Sequence, residues 1–377
     1  IIVWNTDAVF LKCGRKVINM TDAVAKLRAE MSANNIDAVI LTDGANRRYF
    51  SGFTGTAGTV FITADDCIFM TDSRYILQSR QQCIGFEIKE LYGKNMIDYV
   101  SDYCIRNSVK NIWIDENSLT YAQYKGFFYA LGVAVNFVDG ANCFSKIRAI
   151  KNADEIEIMK SAAKIAGDAF MRTVSMLEPG MSELYVAGMF EKYVLDAGAK
   201  TAFIIVASGE NAALPHHEAN ERKIAYGDIV TVDFGVNYKG YNSDCTRTFA
   251  IGKVPKELEN IYNIVDRAQR TAAMQVAPGK VCSELDKIAR DIIAAEGYGN
   301  NFGHSLGHGL GLDVHEMPSL GKFSKTVLQP GMFVTVEPGI YVENLGGVRI
   351  EDTLLVTENG SVNITDDVPK SLFIREF

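Results

Sequence analysis

The sequence contains one stretch in two copies, Gly227-Asp-Ile-Val-Thr-Val-Asp-Phe-Gly235 and Gly331-Met-Phe-Val-Thr-Val-Glu-Pro-Gly339. Each copy has a Val-Thr-Val run, which is typical of a β-strand. A carboxylate follows each run, Asp233 in the first copy and Glu337 in the second. Because side chains alternate faces along a strand, each carboxylate shares the face of the threonine two residues before it. The repeat predicts two related units.

Each copy leads through a glycine-containing turn to a second carboxylate on a returning strand, Asp244 after the first copy and Glu351 after the second. Two hairpins would therefore place four acids at strand positions, where an isolated buried charge is unfavourable by several kcal/mol unless it is paired or metal-bound. The pattern indicates a cation between the hairpins. The alternative is that the acids are solvated strand ends that form ion pairs with Arg247 and Arg349.

The predicted elements around the hairpins repeat in the order helix, helix, hairpin. Helices over 154–177 and 182–197 precede the first hairpin, and helices at about 256–275 and 282–296 precede the second. We expect residues 145–377 to form one α+β domain of two similar units, with its functional site on the axis between them.

The first part of the chain has a different pattern. Helix and strand alternate from Met20 to about residue 140, which predicts a separate α/β domain. The pattern changes near residues 139–153, so we divide the chain into residues 20–144 and 145–377. Residues 1–19 match neither pattern, and we interpret them as a leader or an extension.

The composition narrows the classes of function. With 377 residues, a hydrophobic share of 47% and a charged share of 22%, the chain resembles an ordinary globular protein. Its net charge of -8 argues against nucleic acid or an anionic membrane as the main partner. The seven cysteines are odd in number and lack a CxxC spacing, which indicates a reducing compartment and predicts a cytoplasmic location.

The histidines cluster in the region of the two hairpins. All five lie between residues 216 and 315, and they are His216, His217, His304, His308 and His315. One imidazole with four carboxylates is an oxygen-rich set that suits manganese, or iron, cobalt or zinc. Four carboxylates exceed the needs of one ion, so we infer two divalent ions and metal-assisted hydrolysis.

The region 145–377 resembles the pita-bread (M24-type) metallopeptidases, and within them the Xaa-Pro branch of prolidase and aminopeptidase P. The matching segments are Ser208-Gly-Glu-Asn-Ala-Ala-Leu-Pro-His216, Val232-Asp-Phe-Gly-Val236, Gly240-Tyr-Asn-Ser-Asp-Cys-Thr-Arg-Thr248, Gly303-His-Ser-Leu-Gly-His-Gly-Leu-Gly-Leu-Asp-Val-His-Glu316, Val336-Glu-Pro-Gly-Ile-Tyr341 and Gly347-Val-Arg-Ile-Glu-Asp352. The first domain resembles the creatinase-type N-terminal domain through Asn46-Arg-Arg-Tyr-Phe-Ser-Gly-Phe-Thr-Gly55 and Thr71-Asp-Ser-Arg-Tyr75.

This resemblance implies a pseudo-two-fold catalytic domain that hydrolyses the bond between an N-terminal residue and proline through a metal-bridging hydroxide. Transferred by position, it makes Asp233, Asp244, His308, Glu337 and Glu351 the ligands of two divalent ions, manganese first. Asp244 and Glu351 are expected to bridge the ions. Glu337 is also expected to handle the proton of the attacking hydroxide.

The resemblance also implies roles for residues around the ions. His216 and His315 are expected to hold the substrate and stabilise the tetrahedral intermediate, and His304 and Arg349 join the candidate catalytic residues. His217 follows His216 directly, so which of the two faces the substrate stays open. Arg349 either steadies the carboxylates or contacts the substrate.

Three alternatives remain at this point. One is a methionine-type aminopeptidase, although the large first domain argues against it. The second is a creatinase-like hydrolase, which works without metal and does not keep the five ligands. The third is a non-catalytic pita-bread module that binds proteins. By resemblance we expect an Xaa-Pro dipeptide or a longer Xaa-Pro peptide as substrate, and a homodimer.

Overall fold

The computed structural model describes residues 20–370 and the strand Ile374–Arg375. The predicted leader at residues 1–19 lies outside this range. Contacts divide the chain into two compact units at the Asp139–Gly140 bond. The sequence-based boundary between residues 144 and 145 lies inside a helix, Ala141–Ala149, of the second unit. Phe144 and Arg148 of this helix are buried, so the helix cannot be divided between two domains.

The first unit is a mixed six-stranded sheet with helices, which confirms the predicted α/β class. The strands are β1 (Ala38–Leu41), β2 (Thr59–Thr63), β3 (Cys67–Thr71), β4 (Glu87–Glu90), β5 (Asn111–Ile114) and β6 (Asn136–Asp139), in the order β4-β3-β2-β1-β5-β6. The helices are α1 (Met20–Ala33), α2 (Gly44–Ser51), α3 (Ile76–Gln82), α4 (Lys94–Arg106) and α5 (Tyr121–Leu131). The central strands β1 and β2 are buried throughout, as expected for strands covered on both faces.

The helix α2 was not among the sequence predictions, and it contains most of the Asn46–Gly55 motif. Its start is fixed by Asp43, whose side chain accepts a hydrogen bond from the backbone N–H of Asn46. Its end is fixed by Gly52, which adopts a φ of 75° that favours glycine. The helix has only eight residues, so its apolar positions are too few for a periodic signal.

The second unit contains the remaining helices and strands. The helices are α6 (Ala141–Ala149), α7 (Ala153–Met176), α8 (Glu183–Asp196), α9 (Lys256–Ala273) and α10 (Cys282–Ala295). The strands are β7 (Lys200–Ser208), β8 (Ile229–Tyr238), β9 (Tyr241–Asn242), β10 (Cys245–Ile251), β11 (Gly307–Gly309), β12 (Glu316–Leu320), β13 (Phe333–Val336), β14 (Gly339–Val342), β15 (Gly346–Arg349), β16 (Asp352–Thr357), β17 (Gly360–Asn363) and β18 (Ile374–Arg375).

These elements form two similar halves. In the first half β7, β8, β10 and β18 form one sheet, and α7 and α8 share an apolar core with it. In the second half β11, β12, β13, β16 and β17 form another sheet, whose apolar core includes residues of α9 and α10. The succession of two helices and a mainly antiparallel sheet occurs twice, which confirms the predicted domain of two related units.

The second returning strand differs from the expectation. The chain after Glu337 returns as two strands in two sheets, because β15 pairs with β14 whereas β16 pairs with β13. Pro338, which has no N–H for a ladder hydrogen bond, separates β13 from β14. Asp244 and Glu351 each lie just before a strand, at the start of β10 and β16.

Arg247 of β10 ties distant parts of this unit together. Its guanidinium is 1% exposed and forms an ion pair with Asp352 at 3.0 Å. The same group donates to the carbonyl oxygens of Thr365 at 3.1 Å and Val368 at 2.8 Å. A guanidinium with this many acceptors is satisfied inside a protein.

Two further observations concern cysteines and membrane spans. Cys67, Cys83, Cys104, Cys245 and Cys282 are free thiols, and Cys245 is buried in the apolar core of the first half, as expected for a residue that faces away from Asp244. Among the described residues, no helix combines the length and apolar character that crossing a membrane requires.

Candidate metal centre

Strand register brings the first carboxylate to the interface of the two halves. Val232 belongs to the apolar core, so its neighbour Asp233 faces the opposite side of β8. Asp233 lies opposite Thr246 of β10 in the ladder. Arg349 of β15 approaches from the second half, and its Nη2 donates to Asp233 Oδ2 at 2.8 Å.

Glu337 and His308 meet in the second half. The hydroxyl of Thr335 accepts a hydrogen bond from the backbone N–H of His308 at 3.0 Å and donates to Glu337 Oε1 at 3.1 Å. His308 Nε2 lies 3.3 Å from Glu337 Oε1 and 3.6 Å from Asp244 Oδ2. The imidazole therefore stands between acids from both halves.

Two threonine hydroxyls connect the halves reciprocally. Thr246 of the first half donates to Glu351 Oε2 of the second half at 2.7 Å. Thr353 of the second half donates to the backbone carbonyl of Asp244 in the first half at 2.8 Å. Ligand atoms of Asp244, His308 and Glu351 all lie within 4.8 Å of one another. This is a spacing at which three side chains can hold one metal ion.

The acids differ in their electrostatic surroundings. Burial, reinforced by neighbouring carboxylates, raises the pKa of Asp244 and of Glu351 well above the usual range. Burial also raises the pKa of Asp233, although the nearby Arg349 opposes this. Burial alone would raise the pKa of Glu337, but the hydrogen bond and charge of His308 outweigh it and lower that pKa.

The cluster has more negative charge than its own cations neutralise. Four carboxylates face one guanidinium and one imidazole, and Asp233 Oδ1 and Glu351 Oε1 are buried oxygens for which the described residues supply no hydrogen-bond donor. Buried acceptors without donors are rare in proteins and suggest an absent ion. The donor set of four carboxylates and one imidazole fits divalent metal ions with a preference for oxygen.

A cavity of about 1070 Å³ opens onto these acids. Its polar wall includes the sequence-predicted residues Asp233, Asp244, Glu337, Glu351, His216, His304, His308, His315 and Arg349. Its apolar wall includes Phe203, Ile205, Pro215, Val314 and Met317. The structure thus brings all of the sequence-predicted site residues to one cavity.

Of the two adjacent histidines, His216 faces the cavity and His217 does not. His216 is exposed and lies on the cavity wall. His217 is 8% exposed, and its Nε2 lies 2.7 Å from Glu183 Oε2 in the interior. His217 is therefore a buried partner of an acid, and His216 is the residue available to a ligand.

Two more histidines stand on the cavity wall. The ring of His315 lies 4.2 Å from that of His308, and burial together with the charge of His308 lowers the pKa of His315. Burial also lowers the pKa of His304, whose Nε2 lies 2.9 Å from the hydroxyl of Tyr341. Because His304 Nδ1 faces the carbonyl of Ser305, it carries the proton, and Nε2 accepts from Tyr341.

Arg349 is fully engaged within the protein. In addition to Asp233 it donates to the hydroxyls of Tyr341 at 3.0 Å and Thr246 at 3.2 Å and to the carbonyl of Pro215 at 3.3 Å. Four partners leave little capacity for a substrate, which favours the interpretation that Arg349 steadies the carboxylates.

The loop that carries His315 is held by ion pairs of the buried cations Arg148 and Lys151, which the sequence analysis did not predict. Lys151 Nζ lies 2.6 Å from Glu316 Oε1, and Arg148 Nη2 lies 2.8 Å from Glu316 Oε2 and 2.7 Å from Asp313 Oδ2. The partners are more than 160 residues apart in sequence, so spacing gave no sign of them. Tyr341 was not among the site residues predicted from the sequence, yet its hydroxyl connects His304 with Arg349.

Two protein-family models match the chain, and the family of the second unit is a family of metallopeptidases, in agreement with the cluster of carboxylates and His308. The model of metallopeptidase family M24 matches residues 157–358, and the model of the creatinase/prolidase N-terminal domain matches residues 24–150. The chain belongs to metallopeptidase family M24, with a creatinase-type N-terminal domain before the catalytic domain. This confirms the family, the fold and the enzyme class predicted from the sequence.

Three relatives show how far the similarity extends. An Xaa-Pro dipeptidase of Pyrococcus horikoshii is 39% identical over 92% of this chain and 97% of its own length. The structure of an Xaa-Pro dipeptidase from Bacillus anthracis has a TM-score of 0.90 at 43% identity and covers 95% of this chain and 100% of its own. The structure of an X-Pro aminopeptidase from Thermotoga maritima has a TM-score of 0.82 at 35% identity, covering 90% and 98%.

Proposed function

We propose that the chain is a metal-dependent Xaa-Pro peptidase, which releases the N-terminal residue from a substrate with proline in second place. The observation that carries this proposal is the cluster of four carboxylates and His308 at the wall of a large cavity. The names of the three relatives support the substrate class. They do not favour a methionine-type activity, and the complete set of five candidate ligands argues against a non-catalytic module.

Two divalent metal ions are the proposed cofactor, manganese first, with cobalt, zinc or iron as alternatives. The residues that would hold these ions are Asp233, Asp244, His308, Glu337 and Glu351, and ligand atoms of Asp244, His308 and Glu351 lie within 4.8 Å of one another. The two buried oxygens without donors support this assignment. When bound, such ions lower the pKa of water and polarise the carbonyl group under attack.

The surrounding residues have distinct proposed roles. Glu337 is the proposed acceptor of a proton from the attacking water, because its carboxylate lines the cavity and is ionised at neutral pH. His216 and His315 are placed to donate hydrogen bonds to the oxygen that becomes negative in the transition state, where one such donor contributes about 10²–10³-fold in kcat. His304 and Arg349 act through Tyr341 and Asp233 to hold the wall of the site.

The apolar part of the cavity is proposed to receive the proline ring. A bond before proline has no N–H, so an enzyme cannot recognise it by a hydrogen bond from that group. Phe203, Ile205 and Val314 provide an apolar surface that a ring can contact. The cavity volume of about 1070 Å³ slightly exceeds the range of about 300–1,000 Å³ for ligand pockets, so we propose dipeptides and longer peptides as substrates.

Metal reconstitution tests this function. The protein is stripped with chelator, loaded separately with Mn²⁺, Co²⁺, Zn²⁺ or Fe²⁺, and assayed on Ala-Pro, Ala-Pro-Ala, Ala-Ala and Met-Ala-Ser. We expect alanine to be released from the proline-containing substrates only, and fastest with Mn²⁺. No release from either proline substrate with any metal would contradict the proposal, and release from Met-Ala-Ser alone would favour the methionine-type alternative.

A homodimer and a cytoplasmic location are further proposals. The family resemblance supports the dimer, and the free thiols of Cys67, Cys83, Cys104, Cys245 and Cys282 support a reducing compartment. The net charge of -8 supports the absence of nucleic-acid or anionic membrane partners. Light scattering after size exclusion tests the dimer, and fractionation of the native host tests the location; a monomer or a secreted protein would contradict the respective proposal.

A further inference from the structure

The turn that carries His216 is attached to a buried carboxylate outside the cavity. Glu183, the first residue of α8, is 0% exposed. Its Oε1 accepts from the backbone N–H of Ser208 at 2.8 Å and from the Ser208 hydroxyl at 2.6 Å, and Asn211 donates to the same oxygen at 3.0 Å. Its Oε2 lies 2.7 Å from His217 Nε2. One carboxylate therefore connects the end of β7 with the turn beside the cavity.

The charge of Glu183 determines which group donates the hydrogen bond between Glu183 and His217. Burial alone would raise the pKa of Glu183, but hydrogen bonds from Ser208, His217 and Asn211 outweigh it and lower that pKa. An ionised carboxylate only accepts hydrogen bonds, so Nε2 of His217 must be the donor. Arg222 supports the arrangement, because its Nη1 donates to the Ser208 hydroxyl at 2.8 Å.

Both neighbours of His216 are held while its own side chain is exposed. On one side the carbonyl of Pro215 accepts from Arg349 Nη1 at 3.3 Å. On the other side His217 is bonded to Glu183, and its backbone N–H donates to the carbonyl of Leu214 at 3.2 Å. Neither Glu183 nor His217 lines the cavity. The exposed imidazole thus stands on a backbone with two fixed points.

We propose that Glu183 and His217 are positioning residues, which hold the turn so that His216 points at the bound substrate. The pair acts on the reaction only through His216. This inference rests on the proposed Xaa-Pro peptidase function. Holding a group within about 1 Å of its working position matters because a displacement of that size can lower the rate by about 10²-fold.

A double-mutant cycle of His217 and His216 tests this proposal in the Mn²⁺-loaded enzyme, with Ala-Pro as substrate. His217→Leu removes the donor, and we expect kcat to fall by about 10²-fold with KM changed by less than about 3-fold. His217→Gln retains a donor and is expected to restore kcat to within about 5-fold of wild type. In a His216→Ala background, His217→Leu is expected to cause no further loss.

The cycle has built-in controls. Glu218→Gln changes an exposed neighbour in the same turn and is expected to keep kcat. Metal content and the thermal midpoint of each variant show whether the metal site and the fold are retained. If His217→Leu does not fold, His217→Asn, whose donor is too short to reach, takes its place in the cycle.

The outcomes separate this inference from the proposed function. The inference alone would be overturned if the wild type is active and the losses of kcat from His216→Ala and His217→Leu multiply in the double mutant. In that case Glu183 and His217 would act independently of His216. Equal losses in His217→Leu and His217→Gln would also overturn it. A wild type that hydrolyses no Xaa-Pro substrate with any metal would overturn the proposed function, and this inference with it.

Discussion

The two halves of the catalytic domain bring acids to the same place by different backbones. In the first half Asp233 lies within the continuous strand β8, which runs from Ile229 to Tyr238. In the second half β13 ends at Val336, and the longer side chain of Glu337 projects from the interruption at Pro338. The repeat therefore preserves the positions of the carboxylates and not the hydrogen-bonded strand pairing behind them.

The acids of the two halves also differ in the cation that each one contacts and in the direction of their pKa shifts. Asp233 is neutralised across the interface by Arg349, and burial still raises its pKa. Glu337 contacts His308 of its own half, and its pKa is lowered. The proposed roles of the two acids differ as well, since Asp233 is proposed as a ligand only and Glu337 as a ligand that also accepts the proton.

The largest expected effect tests whether both halves of the catalytic domain supply metal ligands. Replacing either Asp244 or Glu351 by Ala removes a proposed ligand, so each change is expected to lower kcat/KM on Ala-Pro by at least about 10³-fold. Metal content should fall in both variants, whereas the far-ultraviolet dichroism should not change. Asp168→Ala, which alters an exposed acid on α7, is the matched control. Wild-type activity in either variant would show that only one half holds metal.

The next prediction separates the two neighbouring acids. Asp233→Asn and Glu337→Gln keep size and remove charge. We expect about a 10²-fold loss of kcat for Asp233→Asn and about 10³-fold for Glu337→Gln, because only the latter also loses the proton acceptor. Steady-state kinetics at saturating Mn²⁺ measures both. The reverse order would assign the proton transfer to the first half.

Removing the metal is expected to make stability depend on pH. Because the pKa values of Asp244 and Glu351 are raised, the folded metal-free protein binds more protons than the unfolded chain. Their unfavourable contribution is absent below about pH 4, grows as the pH rises above that value, and is complete once the pH exceeds the raised pKa values. Bound ions replace those protons, so Mn²⁺ should raise the melting temperature more at about pH 8 than at about pH 6.

The control for this prediction is the double variant Asp244→Asn/Glu351→Gln. Its centre cannot titrate at these positions, so its metal-free stability should vary less over the same pH range. Scanning fluorimetry with and without chelator measures the shifts. Equal Mn²⁺ shifts at both pH values in the wild type would contradict the expected proton–metal exchange.

The smallest expected effect concerns the reciprocal threonines. Thr246→Val removes the donor to the carboxylate of Glu351, whereas Thr353→Val removes the donor to a backbone carbonyl. We expect kcat to fall by about 10-fold and about 2-fold respectively, with each unfolding free energy lower by about 1 kcal/mol. Kinetics and urea unfolding measure the two quantities. Equal kinetic losses would mean that the hydroxyls act only as structural links.

The sequence was sufficient for much of the site because strand periodicity is local. The repeat and the alternation of side chains placed Asp233 and Glu337 on the correct faces, and the glycine turns led to Asp244 and Glu351. The short helix α2 was not predicted, because its apolar pattern is brief. The predicted boundary between residues 144 and 145 was placed inside α6, because the change of pattern near residues 139–153 does not mark a single position. The metal ligands and their roles in the reaction stay predictions until the experiments above are done.

Contacts between distant residues were outside the reach of pattern analysis. Glu183 and His217 are 34 residues apart, and Thr246 and Glu351 are 105 apart. Nothing in the spacing of such residues marks them as partners. The choice between His216 and His217 depended on one of these contacts, since both have the same chemistry and only the position of Glu183 distinguishes them.

The guanidinium of Arg247 has a consequence for synthesis of the protein. Its acceptors at Thr365 and Val368 are 118 and 121 residues further along the chain. On the ribosome, the first hairpin therefore emerges long before the partners of its buried cation exist. Until those residues have been synthesised the guanidinium stays in water, because burial without its acceptors would be unfavourable, so we expect the first hairpin to reach its final packing and the metal centre to form only after residue 368 has emerged.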